Sequence, residues 1–194
     1  ILGMNYIEIG TNEYGTLLEN DYFTGWGIVV EPVLKYFKKL PRKENVQYLN
    51  CALTPFTDGT IDFYEPIDSP QPEWVKSCGS VYPDHKTLKE LGIKNQTFLS
   101  KVNAMSLDSL YKLIPAGPVH MLKIDTEGSD FGILTNWNFA KYKPMHLQFE
   151  SKLMDKNQMQ VVTDILLGHG YVISAGSEQD YNQTPYNHIA TIEF

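Results

Sequence analysis

Apolar runs closed by turn residues punctuate this chain at 5–10 (NYIEIG), 25–32 (GWGIVVEP), 45–53 (NVQYLNCAL), 120–125 (HMLKID), 145–150 (MHLQFE), 170–176 (GYVISAG) and 186–194 (YNHIATIEF). Helix-like spacing fills most of the gaps, at 12–20, 32–40, 106–113, 128–135 and 155–168. In the last of these Met159, Val162, Ile165 and Leu166 recur at helical intervals, and Gly168 or Gly170 stops the run. Strands that alternate with helices build a parallel sheet covered on both faces. The last two runs have no helix between them, so they are expected to pair antiparallel. The expected fold is α/β, a three-layer sandwich around a mostly parallel sheet.

The chain has 194 residues, enough for one such domain with a substantial core and short for two. Segment 68–96 interrupts the rhythm, rich in Pro, Gly and Ser, with a short helix expected at 84–91. Excursions of that length in compact domains commonly cover a site, and it reads as an insertion or lid over one. A net charge of −7 argues against a general nucleic-acid or anionic-membrane binder, which needs clustered Lys and Arg. The basic run 34–43 (LKYFKKLPRK) reads as a solvated helix face and its exit.

Cys51 and Cys78 are the two cysteines, and no CxxC or Cys/His spacing marks a metal site. Reduced thiols in a cytoplasmic protein are the simplest account. No apolar stretch approaches a membrane span. The chain begins at Ile1, almost inside its first strand, which leaves an upstream targeting segment open. Sequons at Asn95 and Asn182 matter only in a secreted protein.

An open parallel sheet binds ligands beyond the carboxyl ends of its strands, where the strand order reverses. Four stations fall at such ends. Gly10 lets backbone approach a ligand, Asn12 can cap the following helix, and Gly15 relieves its first turn. The helix start offers N–H groups to a ligand carboxylate, and Glu8 lies one alternation before Gly10. Glu31, some 20 positions on, is placed to accept hydrogen bonds from a ribose diol, and Pro32 opens the next helix. The run Asn50–Cys51–Ala52 offers small residues to an adenine, and Asp125 and Glu127 stand at the tip of LKIDTEG (122–128). Together the stations describe an adenosine-containing cofactor laid across several strand ends.

The segments IEIGTNEYGTL (7–17), GIVVEP (27–32), NCALTPFTDGTIDFY (50–64), VNAMSLDSLYK (102–112) and LKIDTEGSDFGIL (122–134) resemble the FkbM family of S-adenosylmethionine-dependent methyltransferases. The last is close to that family's KID-x-EG signature, whereas GTNEYG carries one residue more than the family's frequent GANxG. The resemblance implies a class I, Rossmann-like methyltransferase fold of seven strands with the last inserted antiparallel. It places the cofactor's methionine end at Gly10, Thr11 and Asn12, its ribose at Glu31, and its adenine near Asn50, Cys51 and Ala52. Asp125 then faces the sulfonium and the acceptor.

Methyl transfer is an in-line displacement, so the enzyme chiefly positions donor and acceptor. A hydroxyl acceptor must also lose its proton. Glu150 is the first candidate base, with Asp125 orienting and His85 available if the insertion folds inward. No metal is expected from the spacing, although Asp125, Glu127 and Glu150 have the chemistry to hold a divalent ion. Lys123 lies inside a covered strand and is expected either to reach the strand tip or to pair with a buried carboxylate. The expected activity is O-methylation of a hydroxyl on a sugar, glycolipid or small metabolite. The alternatives are a nicotinamide (NAD-type) oxidoreductase, which lacks the regular GxGxxG here, and a non-catalytic binding module.

Overall fold

The computed structural model describes residues 3–13, 16–67, 73–83, 85, 89, 92, 97–175 and 187–192. Gly15 and most of the helix expected at 84–91 lie outside the described residues.

Short, mostly apolar strands of four residues carry the middle of the molecule: β1 (Tyr6–Ile9), β2 (Gly27–Val30), β3 (Val46–Leu49) and, after β4 (Ala52–Thr54), β5 (Gly59–Pro66) and β6 (Thr97–Ser106), β7 (Met121–Ile124). With β8 (His146–Glu150), β9 (Tyr171–Ala175) and β10 (Asn187–Ile192) they form one seven-stranded sheet in the order β3-β2-β1-β7-β8-β10-β9. β1 is parallel to β2 and β7, β2 to β3, and β7 to β8. β10 is antiparallel to both β8 and β9, as the missing helix between the last two runs requires. The order reverses between β1 and β7, so the carboxyl ends of five parallel strands meet on one edge around that switch.

The two faces of the sheet bury different sets of side chains, because successive residues of a strand point to opposite sides. Ile7, Ile9, Ile28, Val30, Leu122, Ile124, Leu147 and Phe149 pack with α2 (Leu107–Tyr111), α3 (Asp130–Asn136) and α4 (Lys156–Gly168). Tyr6 and Val29 pack instead with Leu18, Phe23 and Leu40 on the other face. α4 starts at a capping box in which the Asp155 carboxylate accepts the Gln158 N–H and the Gln158 side chain accepts the Asp155 N–H. It buries Val162 and Leu166 and stops before Gly170.

Three departures from the sequence reading are local. Among the described residues, the helix expected over 12–20 is a 3-10 turn at Leu17–Glu19, and that over 32–40 contracts to α1 (Leu34–Phe37). The run 45–53 is not one strand. It breaks after Leu49, and β4 (Ala52–Thr54) joins a second, three-stranded sheet with β5 (Gly59–Pro66) and β6 (Thr97–Ser106). β6 is the middle of that sheet, parallel to β4 and antiparallel to β5. Among the described residues no helix is long and apolar enough to cross a membrane.

Candidate active site

The loop after β1 is held by its neighbours' backbones. The Gly10 and Thr11 N–H groups both donate to the Val30 carbonyl, at 2.9 and 3.3 Å. Gly10 takes φ +79°, and a Cβ there would fall 1.7 Å from the Asp125 carbonyl oxygen. Only glycine fits this crossing of the β1 and β7 tips, since both the conformation and the space exclude a side chain. Asn12 follows at φ +55° and donates its N–H to Glu31 Oε2 at 2.7 Å.

Glu31 is almost fully buried, and its other oxygen accepts the Val33 N–H at 2.7 Å. Burial pushes its carboxyl up to about 7, against the lowering effect of those two N–H donors. Asn50 donates its side-chain amide to the Glu31 and Pro32 carbonyls at 2.8 and 3.0 Å, fixing the backbone on which the carboxylate stands. Thr11, Cys51 and Ala52 are buried around this edge, and burial raises the Cys51 thiol to about 11. Gly10, Thr11, Asn12, Glu31, Pro32, Asn50 and Asp125 are thus joined into one contiguous group, with Cys51 and Ala52 next in the chain.

Glu8 sits elsewhere. It has no exposed surface; its Oε2 accepts the Thr16 hydroxyl at 2.6 Å and the Leu17 N–H at 2.9 Å, and its Oε1 accepts Lys123 Nζ at 2.9 Å. Glu8 and Lys123 are cross-strand partners in the β1–β7 register. The structure therefore gives Lys123 the buried carboxylate partner that its covered strand calls for. Glu8 ties the turn at Thr16 to the sheet.

Beyond β7 the chain turns sharply through Glu127 at φ +52°. Its carbonyl accepts the Ser80 hydroxyl at 2.7 Å, which draws the 73–83 segment onto this tip. His85 is buried, with Nε2 2.8 Å from Glu127 Oε2. So the insertion does bring His85 inward, against the strand end rather than out in solvent. Carboxylate oxygens of Asp125, Glu127 and Glu150 lie within 4.8 Å of one another. Burial first, then the charges of Glu127, Asp125 and Asp130, push the Glu150 carboxyl up to about 10. Asp130, also buried, anchors the same corner: it accepts the Thr126 hydroxyl at 2.5 Å, the Thr126 N–H at 3.1 Å and the Glu150 N–H at 3.3 Å.

Ser80, His85, Glu127, Asp130 and Glu150 line a cavity of about 290 Å³, and the Asp125 carboxylate stands beside it. His85, Glu127 and Glu150 form its polar wall, while Phe131, Leu153 and Met154 form an apolar one. The sequence singles out Asp125, Glu150 and His85, and the run WVKSCGSV (74–81) resembles a loop that FkbM relatives place near the site, but it gives no individual role to Cys78, Ser80 or Asp130. Those three reach the site because the insertion and the start of α3 fold onto the β7 tip.

The donor set suits an adenosyl cofactor. Each Glu31 oxygen offers two acceptor positions and spends one on a backbone N–H, leaving one apiece for the hydroxyls of a ribose diol.

A seven-stranded sheet of this order, with an antiparallel strand inserted before the last position and a polar site at the switch, defines a class I methyltransferase fold. Residues 8–173 match the family model described as the methyltransferase FkbM domain. The chain belongs to that family of S-adenosylmethionine-dependent methyltransferases. Among curated proteins none matches it by sequence. One solved structure to which it is similar is the O-methyltransferase from Bacillus cereus in complex with SAH, with a TM-score of 0.46 and 11% identity over 97% of this chain and 74% of that one.

Proposed function

We propose that the protein transfers the methyl group of S-adenosylmethionine to a hydroxyl of a small acceptor, a sugar, glycolipid or metabolite. The observation that supports this most directly is the joining of Gly10, Asn12, Glu31 and Asp125 at one sheet edge, next to a cavity walled by carboxylates and an imidazole.

When bound, the cofactor supplies an electrophilic methyl group on a sulfonium. Gly10, Thr11 and Asn12 would border its methionine end, Glu31 its ribose, and Pro32, Asn50, Cys51 and Ala52 its base. The acceptor enters the cavity with its apolar face on Phe131, Leu153 and Met154. Its hydroxyl meets the wall of His85, Glu127 and Glu150; Glu150, a neutral carboxyl at ordinary pH, orients it, and His85 or the neighbouring Asp125 receives its proton. A half-apolar, half-acidic cavity of this size suits a hydroxylated ring better than a nucleic acid, whose phosphates the carboxylates repel. Ser80, Tyr82 and His85 of the insertion close one side of that cavity.

Calorimetry with S-adenosylmethionine, S-adenosylhomocysteine and NAD tests the cofactor assignment, and labelled-methyl transfer to a panel of glycans and metabolites tests the acceptor class. Glu31→Ala is expected to weaken S-adenosylmethionine binding by about 1–3 kcal/mol. Unchanged affinity in a folded variant refutes the pocket, and tight NAD binding favours the oxidoreductase.

A further inference from the structure

A second group of donors lies behind the polar wall of the cavity, and it is not made of carboxylates alone. Cys78 Sγ, a ring nitrogen of His85 and a carboxylate oxygen of Glu127 all lie within 4.8 Å of one another. Cys78 and His85 are 4% and 5% exposed. Cys78 stands just beyond the 3-10 turn Glu73–Ser77, its N–H bonded to the Val75 carbonyl at 3.1 Å. Glu127 is the hub, with His85 Nε2 at 2.8 Å and its own carbonyl pinned by Ser80. Thiol and imidazole come from the insertion, and the carboxylate comes from the β7 tip.

We propose that Cys78, His85 and Glu127 bind a divalent transition metal of the zinc type, open on its fourth side to the cavity.

The donor chemistry selects the ion. A thiolate and an imidazole suit zinc or cobalt and are poor ligands for magnesium or calcium, which take oxygen. Three protein ligands with one open position is the pattern of a catalytic rather than a structural zinc site. The geometry is near closure. Bonds of about 2.0–2.3 Å at tetrahedral angles put donors roughly 3.3–3.7 Å apart, so donors already within 4.8 Å need only small side-chain shifts. The charge balance agrees as well. A thiolate and the Glu127 carboxylate neutralise the ion, the Cys78 proton leaving to solvent. Asp125 and Glu150, crowded beside Glu127, gain a cation in place of mutual repulsion.

His85 and Glu127 line the cavity, so the open position faces the acceptor. There the ion lowers the pKa of a bound hydroxyl, and with His85 on the metal the proton passes to Asp125. That use rests on the methyltransferase reading above. The binding itself does not.

The test uses the whole chain, stripped with a chelator and titrated with Co²⁺. One equivalent is expected, with visible bands of a four-coordinate ion and a near-ultraviolet thiolate-to-cobalt band. Excess Mg²⁺ should not displace it, and Zn²⁺ should. Cys78→Ser should abolish the thiolate band, and His85→Gln should weaken binding by about tenfold or more. Where a variant fails to fold, the native protein decides: Zn²⁺ should protect Cys78, and not Cys51, from alkylation as read by mass spectrometry. Absence of stoichiometric binding, a cobalt spectrum without the thiolate band, displacement by Mg²⁺, or equal alkylation of Cys78 with and without Zn²⁺ each overturns the site. S-adenosylmethionine calorimetry on the same metal-free sample separates such a failure from a failure of the methyltransferase reading.

Discussion

Replacing Lys123 with methionine removes the cation from a pair whose carboxylate, Glu8, has no exposed surface. The ammonium lies 2.9 Å from Glu8 Oε1, while Thr16 and Leu17 occupy Oε2. Those two bonds survive the substitution, but a charge that was desolvated on folding loses the ammonium that faced it. Removing one partner of a buried pair costs about 3–5 kcal/mol. Because hydrogen bonds to a charged acceptor each contribute roughly 1.5–3 kcal/mol, the surviving bonds hold the loss toward the lower figure. Lys123→Met is therefore expected to destabilise by about 3 kcal/mol, a large share of a typical domain's 5–15 kcal/mol. Glu8→Gln takes the charge from the other side. Its amide cannot offer an oxygen to both Lys123 and Thr16, so a comparable loss is expected. The double variant removes both charges together and should cost about 2 kcal/mol less than the sum of the singles. Urea unfolding of the four proteins at neutral pH measures the cycle. Single losses that add to within about 0.5 kcal/mol would show that the two groups do not act as a pair.

Gly10→Ala forces a side chain into φ +79° and against the Asp125 carbonyl, so it should cost about 3 kcal/mol or more in urea unfolding and weaken cofactor binding with it. A near-neutral result would mean that the β1 and β7 tips do not cross as closely as the structure shows. Glu31 titrates at about 7 in the folded chain against an ordinary 4.5, so the folded state holds its proton more tightly than the unfolded one. The stability this gives is complete below about pH 4.5 and is lost as pH rises through about 7, by up to roughly 3 kcal/mol. Wild type minus Glu31→Gln, measured by unfolding across that window, should show this downward slope, and a flat difference refutes it. Ribose recognition by the ionised carboxylate runs the other way, so S-adenosylmethionine affinity should rise across the same window. Asp155→Ala removes the α4 cap and should lower stability by about 1 kcal/mol without touching cofactor binding.

What the sequence disclosed, and what it hid, divides along one physical line. Short, densely apolar strands bounded by turn residues announce themselves, and each of the seven apolar runs holds one strand of the main sheet, the third holding β4 as well. β5 and β6 did not announce themselves, because their sheet is half-exposed: Phe98 and Leu99 stand in solvent while Phe63 and Ala104 are buried, and no simple period results. The break between β3 and β4 was equally silent, since Asn50 serves the Glu31 and Pro32 backbone and interrupts neither hydrophobicity nor turn chemistry.

The site follows the same division. Gly10, Glu31 and Asp125 were legible because each stands at the end of a strand that was itself legible, and the topology then carries those ends to one edge. Glu8 is subtler. Alternation placed it on the same side as Gly10, but its partner Lys123 lies 115 residues away and becomes visible only once β1 and β7 are known to be neighbours. The pairing of Cys78 and His85 with Glu127 was out of reach altogether, for spacing rules detect ligands that one local turn brings together, and here the insertion returns to the β7 tip through Ser80. That return gives Glu127 its particular weight. Its backbone receives the insertion and its carboxylate receives His85, and it stands beside Asp125 and Glu150. A substitution there strikes both the closure of the cavity and the chemistry of its wall, whereas Cys78→Ser removes the thiolate and leaves the Ser80 and His85 bonds of Glu127 in place. Comparing the two variants thus separates what the ion does from what the fold does.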